Sequence, residues 1–85
     1  MPADQQQRAT SHMGDDDERI AFGTNVKQAR KRLSLTQAQF AEQVGTTQTY
    51  ISRVEQGQIQ ITIDTMARIA KMLNVPLHDL VKPAD

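Results

Sequence analysis

A single glycine between two short amphipathic segments constrains this chain more than any other feature. In TQAQFAEQVGTTQTYISRVEQG, residues 36 to 57, Thr36 is a good N-cap for a helix from Gln37 to Val44 with Phe40, Ala41 and Val44 on one face. Gly45 stands just past its end, where a left-handed backbone is easiest. Thr47 can cap a second helix over residues 48 to 56, which Gly57 ends. So short a connection sets two helices at a steep angle. Ala41 is small enough to let them approach, and Ile51 and Val54 anchor the second helix. With those positions spent on packing, Thr47, Gln48, Thr49, Ser52 and Arg53 are left facing outward.

Helical periodicity also governs what flanks this pair. A first helix is expected from Glu18 to Leu33, with Phe22, Val26, Ala29 and Leu33 inward. Acidic residues precede it and Lys27, Arg30, Lys31 and Arg32 fall toward its end, as the helix dipole favours. A fourth helix follows the cap Thr62, from Ile63 to Leu73, with Met66, Ile69, Ala70 and Leu73 inward. Pro76 suits the first turn of a short fifth helix through Leu77, Leu80 and Val81. The expected fold class is all-α, one compact five-helix domain over residues 18 to 85.

Ile59, Ile61 and Ile63 alternate with polar residues like a strand, but a lone strand has nothing to pair with, so an extended loop is expected. The domain's own core can take Ile61 and Ile63. Ile59, with Leu77, Leu80 and Val81, is then left for a two-fold homodimer contact.

At 85 residues the chain is at most one small domain, and association with a second copy is a natural way to gain stability. It has no cysteine, and its two histidines, His12 and His78, have no partner at metal-ligand spacing, so no metal and no cofactor is expected. No run approaches a membrane span and the N-terminus lacks the apolar stretch of a signal peptide, so a cytoplasmic protein is expected. The zero net charge hides an asymmetry. Residues 1 to 18 hold one basic residue against five acidic ones, whereas residues 19 to 85 hold nine against five. The acidic segment, residues 1 to 17, reads as a disordered tail, either native or partly vector-derived, since Ser11, His12 and Met13 resemble a cloning scar.

A basic helical domain with an outward polar face on a short helix matches the way a recognition helix enters the DNA major groove. Glutamine can bond two atoms of an adenine edge, arginine two of guanine, and threonine can offer a hydroxyl and a methyl group. Gln37, at the start of its helix, is placed to meet a phosphate, because helix N-termini attract anions. Tyr50 admits two roles, packing at the domain edge or a phosphate contact. Catalysis is not expected, because Glu42, Glu55, Asp64 and Asp79 are scattered at helix surfaces or explained by pairing. A helical hairpin of an ordinary bundle is the competing reading, but it does not require Ala41, Gly45, Ile51 and Val54 together.

The stretch LSLTQAQFAEQVGTTQTYISRVEQG resembles the helix-turn-helix of the lambdoid phage repressor and Cro family, also called the XRE family. The similarity continues through ITIDTMARIAKMLNVPLHDLV. TYISRVEQG followed by an ITI segment is most similar to the small controller proteins of restriction-modification systems. The resemblance implies a lambda-repressor-like DNA-binding domain and a homodimeric transcriptional regulator of its own operon. It implies DNA contacts from Gln37, Gln48, Thr49 and Arg53, with Tyr50 near the DNA, and a structural salt bridge between Arg30 and Glu55. Phage repressors and antitoxins share much of the pattern. An antitoxin-type protein-binding module that autoregulates its operon is therefore the alternative.

Overall fold

Among the described residues the computed structural model has five helices: α1 (Asp16–Arg32), α2 (Gln37–Val44), α3 (Gln48–Glu55), α4 (Ile63–Leu73) and α5 (Leu77–Leu80). Residues 16–83 are described; of the expected tail, residues 1 to 17, the first fifteen lie outside them, while Asp16 and Asp17 belong to α1. α2 and α4 have the limits the capping pattern predicts. α1 starts and ends slightly earlier than expected, and α3 ends one residue earlier.

Local chemistry explains the helix ends. Thr36, Thr47 and Thr62 each turn a side-chain oxygen back to accept a backbone N–H at the start of α2, α3 and α4. At α2 the device is reciprocal, since the Thr36 amide donates to Gln39 Oε1 at 2.9 Å. The first four helices all stop in the same way. The chain passes through a left-handed residue, Ser34, Gly45, Gly57 or Asn74. The next amide then donates back five residues, as Thr46 does to the Ala41 carbonyl at 2.9 Å and Gln58 to that of Arg53 at 3.0 Å.

The core runs between all five helices. Phe22, Val26, Phe40, Ile51, Val54 and Ile69 are at most 2% exposed. Complete burial of a side chain of this size contributes about 1.5–3 kcal/mol. α3 is packed between α1 and α2, and α4 and α5 close the far side. Asn25 of α1 ties down the end of the chain: its Nδ2 donates to the carbonyls of Leu80 at 2.9 Å and Lys82 at 2.8 Å. Beside them a hydrogen bond from Lys82 holds the Asp79 carboxyl below the usual carboxylate range.

Three apolar residues differ from the periodicity reading. Leu33 lies just past the end of α1 and is 47% exposed. Ile63 is 57% exposed on the first turn of α4 instead of filling the core. Ile59, by contrast, is partly buried against the protomer's own core.

Candidate nucleic-acid interface

The outward half of α3 is built by subtraction. Ile51, Val54 and Glu55 are buried, which turns Gln48, Thr49 and Arg53 to the surface with Ser52 half-exposed between them. Thr47 is exposed as the cap, its Oγ1 accepting the Tyr50 amide at 3.1 Å. Tyr50 itself is partly buried against the core. Gln48, Thr49, Ser52 and Arg53 line one open polar hollow of about 340 Å³ with Gln37 of α2. Gln56 and Gln58, which follow α3, complete the wall. Neither glutamine carries a local sequence signal that marks it as part of this surface; both are joined to it by hydrogen bonds, Gln58 to Gln56 and Gln56 to Ser52.

Behind the hollow a buried ion pair fixes α3 to α1. Arg30 Nε donates to Glu55 Oε2 at 2.6 Å and Arg30 Nη2 to Glu55 Oε1 at 3.0 Å, a two-pronged contact. The remaining reach of Arg30 is also used, since Nη1 donates to the Leu35 carbonyl at 2.7 Å. One cation thus joins α1, the α1–α2 turn and α3.

Gln37 belongs to the same network. Its Nε2 donates to Glu55 Oε1 at 3.0 Å, so this side chain reaches inward as well as lining the hollow.

The residues expected at a dimer contact divide into two groups. Val81 is 40% exposed and Leu77 partly buried. Leu80 is 3% exposed and belongs to the protomer's own core, as Ile59 does in part. Val81 and Leu77 instead join Ile61, Ile63 and Met66 along an apolar groove of about 510 Å³. Exposed Ile20, beside Val81 in the adjoining hollow, extends this apolar surface.

The pattern of the helix-turn-helix family matches residues 26–80, which include the whole of α2, α3, α4 and the turn at Gly45. The chain belongs to the helix-turn-helix family. This helix-turn-helix protein is 33% identical over 69 residues to the uncharacterized HTH-type transcriptional regulator y4dJ of Sinorhizobium fredii, a match covering 81% of this chain and 90% of that one. It is 32% identical over 65 residues to the control protein C.MunI of a Mycoplasma species, covering 75% of this chain and 88% of that one. Among solved structures, the hypothetical transcription factor NHTF from Neisseria superposes with a TM-score of 0.75 at 28% identity, covering 81% of this chain and 80% of that one.

Within this frame α2 and α3 are the two helices of the helix-turn-helix, joined by the turn at Gly45. Among the described residues no cluster of three or more His, Cys, Asp or Glu could hold a metal ion, and no helix is long and apolar enough to cross a membrane.

Proposed function

We infer that this protein is a transcriptional regulator that reads double-stranded DNA by laying α3 in the major groove, acting as a homodimer on an inverted repeat in the cytoplasm. The observation that carries the reading is the single exposed face on which Gln48, Thr49, Ser52 and Arg53 converge, held from behind by the Arg30–Glu55 pair. A helix needs one capping side chain, and Thr47 supplies it. Gln48, Thr49 and Arg53 are exposed beyond what capping requires, which supports their meeting base edges. The likeness to a control protein favours the controller class within the family.

Specificity and affinity separate in one experiment. A duplex enriched from a randomised pool by the native protein is titrated beside its scrambled counterpart at several salt concentrations. Gln48→Ala is expected to cost about 1–3 kcal/mol on the enriched duplex and much less on the scrambled one, with the salt dependence unchanged because no charge is lost. Equal losses on both duplexes would mean that Gln48 positions α3 without reading bases.

The dimer reading rests on the exposed apolar groove between the Ile61–Ile63 loop and α5. The expected contact brings two copies onto half-sites about one helical turn, roughly 34 Å, apart. Val81→Asp is the clean probe, since Val81 is exposed in the protomer and its replacement leaves the core intact. A charge buried at the contact should weaken self-association at least about tenfold, which sedimentation measures directly. A strictly monomeric native protein at tens of micromolar, with and without DNA, refutes the dimer.

A further inference from the structure

The reading face carries a directional chain of hydrogen bonds. Gln58 Nε2 donates to Gln56 Oε1 at 2.9 Å, and Gln56 Nε2 donates in turn to Ser52 Oγ at 2.9 Å. A hydroxyl has one proton and two lone pairs. The oxygen of Ser52 accepts from Gln56, so its own proton is left for another acceptor. In this arrangement the amide of Gln56 turns its oxygen to Gln58 and its nitrogen to Ser52. All three residues line the hollow that holds Gln48 and Arg53.

We propose that Gln58 and Gln56 are positioning residues that set the hydrogen-bond polarity of Ser52, so that Ser52 acts as a proton donor to the DNA. This rests on the DNA-binding reading given above. The matching chemistry on the nucleic acid is an acceptor, either a phosphate oxygen or a base-edge atom such as the N7 or O6 of guanine, and not an amino group of cytosine or adenine. Successive bonds in such a chain polarise one another, so the Ser52 proton is a stronger donor with the chain intact. Both glutamines are exposed and lie at or beyond the end of α3, where removal of their side chains leaves the core untouched.

A double-mutant cycle separates the relay from independent contacts. Native protein, Gln56→Met, Ser52→Ala and the double variant are titrated against a duplex enriched by the native protein and against its scrambled counterpart, with melting temperatures measured in parallel. Gln56→Met should weaken binding about fivefold, the scale of one hydrogen bond, while melting is unchanged. The double variant should bind no more weakly than Ser52→Ala alone, because Gln56 acts only through Ser52. Gln58→Met should give a smaller loss that disappears in the Gln56→Met background. A loss confined to the enriched duplex identifies a base-edge acceptor, and an equal loss on both identifies a phosphate. Losses that multiply in the double variant, or no loss for Gln56→Met, overturn the relay while leaving DNA binding in place. A native protein that enriches no duplex from the pool overturns the DNA-binding reading and the relay together.

Discussion

Arg30→Ala is expected to cost about 3–5 kcal/mol of folding stability, because it leaves the Glu55 carboxylate buried without its charge partner. The side chains of Arg30 and Glu55 are only 8% and 2% exposed, so water cannot take over the role of the guanidinium. The amide of Gln37 stays within reach of Glu55, but one neutral donor does not balance a buried charge. The Leu35 carbonyl also loses its donor. Small domains have a total stability of about 5–15 kcal/mol, so the variant should lose a large part of its margin. Urea unfolding followed by circular dichroism measures the loss. DNA affinity should fall only with the folded population, since Arg30 is enclosed by the α1–α2 turn and α3. Normal unfolding with lost binding would instead assign Arg30 to the DNA contact. Replacing both partners together, Arg30→Met with Glu55→Met, should cost less than Arg30→Ala alone, because no unpaired charge is left inside.

Gly23→Ala is expected to destabilise the domain by about 3 kcal/mol, the upper end of the usual overpacking cost. Two effects oppose each other here. Exchange of glycine for alanine inside a helix normally gains about 1 kcal/mol from backbone entropy. At Gly23, however, a Cβ would press into the carbonyl oxygen of Val54 and come within 2.8 Å of the carbonyl oxygen of Glu55. These atoms are backbone of α3 and cannot swing aside as a flexible side chain does, so the steric term wins. The relief available is for α1 and α3 to move apart, which disturbs the Arg30–Glu55 geometry and the tilt of the outward face of α3 together. Thermal melting checks the sign: a higher melting temperature for Gly23→Ala would show that the crossing is looser than these distances imply.

Which features could be read in advance follows from the range of the interactions behind them. Thr36, Thr47 and Thr62 as caps, and Gly45 and Gly57 as terminators, act over three to five residues, so the limits of α2 and α4 and the turn between α2 and α3 were legible from the chain alone. The outward set Gln48, Thr49, Ser52 and Arg53 was legible too, because the periodicity that buries Ile51 and Val54 leaves those positions over. The family resemblance supplied the Arg30–Glu55 pairing, which periodicity could not have.

Periodicity does not say where a helical face runs out of core. Leu33 falls just past the end of α1 and is exposed, Ile63 is exposed on the first turn of α4 beside the groove, and Leu80 is spent inside the core. Gly23 reads in sequence as a weak spot in a helix, and only the crossing with α3 makes its lack of a side chain necessary. Asn25 has no local signal at all, since the carbonyl of Leu80 that it holds lies 55 positions away. Caps, turns and apolar periods act between near neighbours, so the helices, most of their ends and the polar face of α3 follow from the chain alone. How close the helices lie and which apolar residues stay uncovered depend instead on atoms that meet only when the chain has folded, so those features come from the tertiary packing.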